Sequence, residues 1–136
     1  MSQDNNIALL RGLYEAFNKG DVESVLGAFD QNIEWYEAEG MPYGGLHRGP
    51  DAIAEKVFGP VSGDFDDFGV TPDEAYADGD EVVMIVTYSG TAHESRNELR
   101  QQAVHVWKVR DGKVVRFRQF MDTVKFNEVL AVGAAA

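Results

Sequence analysis

His105-Val106-Trp107-Lys108-Val109, the tripeptide Arg110-Asp111-Gly112 and the run from Lys113 to Met121 make one strand–turn–strand pattern late in the chain. Apolar and polar residues alternate on both sides of the turn, the period of a half-buried strand. Two registers fit. A two-residue Asp111-Gly112 loop would put Arg116 and Arg118 on the face of His105 and Trp107. A three-residue Arg110-Asp111-Gly112 loop, with Gly112 left-handed in a bulge, shifts everything by one. His105 then shares a face with Leu99, Gln101, Ala103, Trp107, Phe117, Gln119 and Met121. Arg100, Gln102, Lys108, Arg116 and Arg118 collect on the other. Burying two unpaired guanidinium groups costs several kcal/mol, against a turn preference of about 1 kcal/mol, so the bulged turn is expected.

The same period of two extends upstream. Strands are expected at about 65–77, 80–93, 97–110 and 113–122, with Asp78-Gly79 marking another hairpin, and a final helix at about 123–131 capped by Asp122. The first third reads differently. Ile7, Leu10, Leu13, Tyr14 and Phe17 form one helical stripe, ended by Asn18-Lys19-Gly20. Asp21 caps a second helix with the stripe Val22, Val25, Leu26 and Phe29. A short strand, Ile33 to Glu37, sets Ile33, Trp35 and Glu37 on one face and Glu34 and Tyr36 on the other. Ala38 to Gly49 reads as a glycine-rich loop. Pro50 opens a third helix with Ile53, Val57 and Phe58 inward, and Gly59 to Asp64 breaks the chain again. A long antiparallel sheet that follows its helices argues an α+β fold with helices laid on one face of a bent sheet. The concavity between them is the expected small-molecule site.

Length and charge narrow the classes of function. The 136 residues fit a single domain, with an ordered core at about 4–131 and a frayed Ala134-Ala135-Ala136 tail. Twenty-three acidic against 12 basic side chains give a formal charge of −11, which repels phosphate backbones and argues against a nucleic-acid partner. The basic set Arg96, Arg100, Lys108, Arg110, Lys113, Arg116 and Arg118 reads as the outer face of two strands. The absence of cysteine excludes disulfides, thiol catalysis and cysteine-ligated zinc. No leader-like segment or long apolar run occurs, so a cytoplasmic protein without membrane contact is expected.

Tyr14-Glu15-Ala16-Phe17-Asn18-Lys19-Gly20-Asp21, Phe29 through Glu37, Arg48-Gly49-Pro50-Asp51-Ala52-Ile53 and Val109-Arg110-Asp111-Gly112-Lys113-Val114-Val115 resemble the superfamily of nuclear transport factor 2, ketosteroid isomerase and SnoaL-like polyketide cyclases. The resemblance spans nearly the whole domain. It implies a cone-shaped α+β barrel with a deep pocket, usually in a dimer. It places Glu37 at the position of the isomerase's catalytic aspartate and His105 at that of its protonated aspartic acid. The isomerase's oxyanion tyrosine falls on Leu13, beside Tyr14, and the cyclases' last-strand aspartate falls near Gln119.

Glu37 beside an apolar wall is suited to abstract a proton next to a carbonyl. His105, as a neutral imidazole, is suited to donate a hydrogen bond to the developing enolate or to relay a proton. Tyr14, Trp35, Tyr88, Gln101, Trp107, Phe117, Gln119 and Met121 are expected to line the pocket. His47 and His93 read as solvent-facing, and the three histidines lack metal-ligand spacing. The expectation is a cofactor-free enzyme, without metal, for a small hydrophobic carbonyl compound. It would work by isomerisation, cyclisation, dehydration or hydrolysis, in a homodimer formed through the outer sheet face. The alternatives are a non-catalytic module binding a small ligand in the same cavity, and a subunit whose role is assembly.

Overall fold

A computed structural model describes residues 2–132; the Ala134-Ala135-Ala136 tail lies outside them. Helix α1 (Gln3–Asn18) is capped by Ser2, and α2 (Val22–Gly27) by Asp21. Strand β1 (Phe29–Glu37) and the short β2 (Gly45–Arg48) follow. A second helical block runs α3 (Pro50–Ile53), one π-helical turn (Ala54–Phe58) and α4 (Gly59–Asp64). Four long strands complete the sheet: β3 (Phe65–Asp78), β4 (Glu81–Ala92), β5 (Glu98–Arg110) and β6 (Lys113–Phe120). Helix α5 (Thr123–Leu130) closes the fold on its Asp122 cap. The sheet order is β2-β1-β6-β5-β4-β3, antiparallel except for the parallel β1–β6 pair. Helices pack on one face of this curved sheet, giving the expected mixed α+β architecture. No helix among the described residues is long and apolar enough to cross a membrane.

Three local expectations are corrected. Phe29 starts β1, paired beside Val114, and does not close the second helix. The glycine-rich segment contains β2, which zips against β1 from Glu34↔Arg48 to Glu37↔Gly45. Gly59-Pro60 does not break the chain, because the π turn ahead of it absorbs the proline. The Gly59 amide bonds to Ala54 O, five residues back, which widens the turn where a proline ring would strike an ordinary one.

The hairpin of β5 and β6 keeps the expected faces by a different device. Arg110 pairs with Lys113, and both Asp111 (φ 50°) and Gly112 (φ 75°) are left-handed, the geometry of a two-residue primed turn. The register then slips at Val115, because Val109 opposes Val114 while Lys108 opposes Arg116. That bulge, not a three-residue loop, keeps the arginines out of the core and sets Trp107 opposite Phe117 and His105 opposite Gln119. The inner face of β5, from Leu99 through Gln101, Ala103, His105 and Trp107 to Val109, is buried throughout.

A second bulge, in β3, turns Phe68 inward. Strict alternation would group Phe65 with Asp67. Asp67 adopts φ 53° instead, and the register skips between Asp66 and Gly69. Phe68 thereby reaches Tyr88, its ring stacked at 5.5 Å between centroids. Asn18 holds this irregular strand by taking the Val70 amide at 2.9 Å and donating to the Val70 carbonyl at 2.8 Å.

Candidate functional site

Alternation along β1 carries Ile33, Trp35 and Glu37 to the inner face, so a carboxylate ends a buried row. The Trp35 indole N–H donates to Glu37 Oε1 at 2.8 Å. The other carboxylate oxygen has no hydrogen-bond partner at close range among the described residues. Burial raises the Glu37 pKa from its ordinary 4.5 to about 7, with the Trp35 indole and the Gln119 amide pulling it partly back. A carboxylate poised there can exchange protons near neutral pH.

His105 sits at the centre of the sheet, between Met84 on β4 and Gln119 on β6. Both ring nitrogens are engaged. The Tyr14 hydroxyl, reaching down from α1, lies 2.7 Å from Nδ1, and the Tyr88 hydroxyl lies 2.5 Å from Nε2. Each tyrosine oxygen also accepts an N–H: Trp107 Nε1 donates to Tyr14 at 2.8 Å and Gln119 Nε2 donates to Tyr88 at 2.7 Å. The Gln119 carbonyl oxygen accepts from the Ala38 amide at 3.1 Å, which fixes the orientation of its NH2 group. Burial lowers the His105 pKa from 6.5 to about 3 and pushes both tyrosines well above their ordinary range. The imidazole is therefore neutral at physiological pH.

Glu37, His105, Tyr14, Trp35, Tyr88, Trp107, Phe117 and Gln119 all line one cavity, together with side chains from the helices. The centre of a water molecule can reach about 70 Å³ of it, so it suits a compact guest. Aromatic walls dominate; Trp35 stacks on Phe117 with centroids 3.7 Å apart. Gln101 and Met121, expected on the wall, do not line it. Gln101 is on the inner face but lies beyond the cavity's end, where its amide donates to Asp122 O at 2.6 Å. Met121 follows the last residue of β6 and is only partly buried. His47 bonds the Tyr43 carbonyl at 2.8 Å, and exposed His93 pairs with Asp66 at 3.1 Å, both away from the cavity.

Sequence reasoning missed part of the enclosure. Met41 and Tyr43, from the loop between β1 and β2, are buried against the cavity, and Phe126 of α5 meets Tyr43 edge-on. The Tyr43 hydroxyl donates to Asp64 at 2.7 Å, tying that loop to the end of α4. Apolar residues inside a glycine-rich segment were the available signal. Phe68 escaped because its bulge inverts the alternation. No three His, Asp or Glu side chains among the described residues converge to hold a metal ion.

Solved structures share this fold. An NTF2-like protein from Burkholderia thailandensis is 28% identical, with a TM-score of 0.88 over 96% of this chain and 99% of that one. An NTF2-like protein of unknown function from Burkholderia pseudomallei is 29% identical, with a TM-score of 0.86 over 97% and 100%. TerC, co-crystallised with polyporic acid, is 30% identical, with a TM-score of 0.84 over 92% and 97%. No curated protein matches the sequence. The SnoaL-like domain pattern matches residues 10–117, and the chain belongs to the SnoaL-like family.

Proposed function

We propose that this protein is a cofactor-free acid/base catalyst for a small hydrophobic carbonyl compound. The observation that carries the reading is Glu37: a buried carboxylate, half-titrated near neutral pH, with one free oxygen in an apolar cavity that also holds a hydroxyl–imidazole array. The carboxylate takes a proton from the carbon beside the carbonyl. The C–H pair moves into the carbon framework, and the carbonyl oxygen becomes an enolate. Donors of the array stabilise that anion in a site with little water, where such bonds are strongest. Return of the proton to another carbon gives isomerisation; attack of the enolate carbon on a second carbonyl gives ring closure. The likeness to TerC, crystallised with polyporic acid, supports an organic guest in the cavity.

Deuterium uptake from heavy water into indanone and related hydrophobic ketones tests the reading. The protein should speed exchange at the carbon beside the carbonyl, and Glu37→Gln should abolish the gain. Equal exchange by both proteins would leave a binding module as the better description.

The outer sheet face supports a homodimer as the working form. Register places Leu46, Tyr36, Arg118, Val106, Val83 and Tyr76 in one row across the sheet, with exposed Phe120 in the neighbouring row. Arg116 and Arg118 are each half-buried there, with an Nε that has no partner among the described residues. A second copy would cover the apolar row. Sedimentation should show a dimer, and a strict monomer at high concentration would remove this part of the proposal.

A further inference from the structure

Counting hydrogens around His105 leaves one spare. A neutral imidazole has one N–H and one lone-pair nitrogen, and a tyrosine hydroxyl has one hydrogen and two acceptor sites. Trp107 gives its hydrogen to Tyr14, and Gln119 gives one of its own to Tyr88. Tyr14 and Tyr88 then face opposite nitrogens of the same ring. One tyrosine must donate to the lone-pair nitrogen, and the other must accept the ring N–H. The accepting tyrosine takes two bonds on its oxygen and keeps a hydrogen that no group among the described residues takes. Both hydroxyl-bearing side chains line the cavity, so that hydrogen is available to a guest.

The two arrangements are not equal in energy. Gln119 accepts from the Ala38 amide, next to Glu37, and donates to Tyr88, so Tyr88 is joined to the Glu37 end of β1 and feels that charge, whereas Tyr14 is tied to Trp107. A spare positive hydrogen is more stable near the negative carboxylate than away from it. We propose that His105 carries its hydrogen on Nε2, so that Tyr88 accepts twice and turns its own O–H into the cavity as the donor to the guest's carbonyl or enolate oxygen. His105 is then a positioning residue: both its nitrogens are taken, so it gives the guest no hydrogen bond and sets which tyrosine can give. Tyr14, donating to Nδ1, locks that tautomer. The guest's oxygen must accept, which suits a ketone and suits its enolate better.

The inference rests on the acid/base reading for its chemistry, and its test needs no turnover. Nitrogen NMR of the full-length protein with labelled histidine should show the His105 hydrogen on Nε2 at neutral pH. A packing role alone would not fix the tautomer, and a hydrogen on Nδ1 overturns the assignment. The second measurement is binding of indanone, a neutral acceptor, to protein that keeps Glu37, whose charge the assignment depends on. Tyr88→Phe should weaken that binding by about fivefold or more, the loss of one hydrogen bond to the carbonyl oxygen. Unchanged affinity overturns the proposal even where turnover by Glu37 is established. Loss of turnover with this donor intact would instead count against the catalytic reading.

Discussion

The Trp35 indole donates to Glu37 from two residues back on the same strand face, at 2.8 Å, with the Gln119 amide as a weaker second influence. The bond stabilises the ionised form, so it holds the Glu37 pKa below the level burial alone would set. Trp35→Phe keeps an aromatic ring beside Phe117 and removes the donor. Its Glu37 pKa should rise further above 7. In a pH profile of ketone proton exchange, the rising limb should move to higher pH, with the plateau reached later. A limb that stays in place would mean that the indole does not set the proton affinity of Glu37.

Burial of Glu37 also makes stability depend on pH in a direction opposite to that of a salt-bridged carboxylate. Its pKa is about 7 folded against 4.5 ordinarily, so the folded state binds more protons between those values. The stabilising contribution is complete below pH 4.5, declines as pH rises through 7, and is flat beyond. The cost at alkaline pH is at most about 3–4 kcal/mol at 1.36 kcal/mol per unit. Urea unfolding should show Glu37→Gln gaining on wild type as pH rises from 4.5 to 8, with no further gain above. A constant difference across that range would place the carboxylate in water.

His105 imposes the opposite slope. Its folded pKa, about 3, lies below the ordinary 6.5, so its contribution is complete above pH 6.5 and is lost as pH falls through 3. Charging the ring would place an imidazolium between two tyrosines, with no anionic partner among its hydrogen-bonding groups. The His105 contribution should therefore fall by several kcal/mol on acidification, offset in part by Glu37, and His105→Gln, which cannot charge, should lack that loss. His105→Gln should start lower at neutral pH, because it cannot serve both hydroxyls at the imidazole's spacing. The comparison is of slopes, measured by denaturant unfolding.

The parts of this molecule that were legible in the sequence share one property: regular alternation over many residues. The long strands, the inward row Ile33, Trp35, Glu37 and the shared face of His105 and Gln119 all follow from a period of two. What escaped is where the period is broken or the contact is remote. β2 is four residues long, too short to show alternation, and is defined by its pairing with β1. The helix across Gly59-Pro60 depends on a π turn that no residue pattern announces. Phe68 faces inward only because Asp67 takes a left-handed backbone. Tyr14 and His105, 91 residues apart, were each placed at the cavity, but their hydrogen bond is a tertiary fact. That bond changes the expected chemistry. His105 is expected from the sequence to donate to the enolate or to relay a proton; with both its nitrogens occupied by tyrosines, direct donation is closed to it.

The bulge at Val115 gives the last prediction. Val115 is the extra residue between Val114, opposite Val109, and Arg116, opposite Lys108. Deleting it would join two positions that are already in register on the partner strand, so a regular ladder can form without moving Phe117 or Gln119. The cost should be limited to the local burial and bend, about 1–2 kcal/mol for one half-buried valine. Deleting Arg118 is a different event. Gln119 would then take an outward position and Phe120 an inward one, stripping Tyr88 of its donor. Thermal unfolding should show a cooperative, modestly lowered transition for the Val115 deletion and no cooperative transition for the Arg118 deletion. The same severe loss from both deletions would mean that Val115 sets the curvature of the sheet as well as its register.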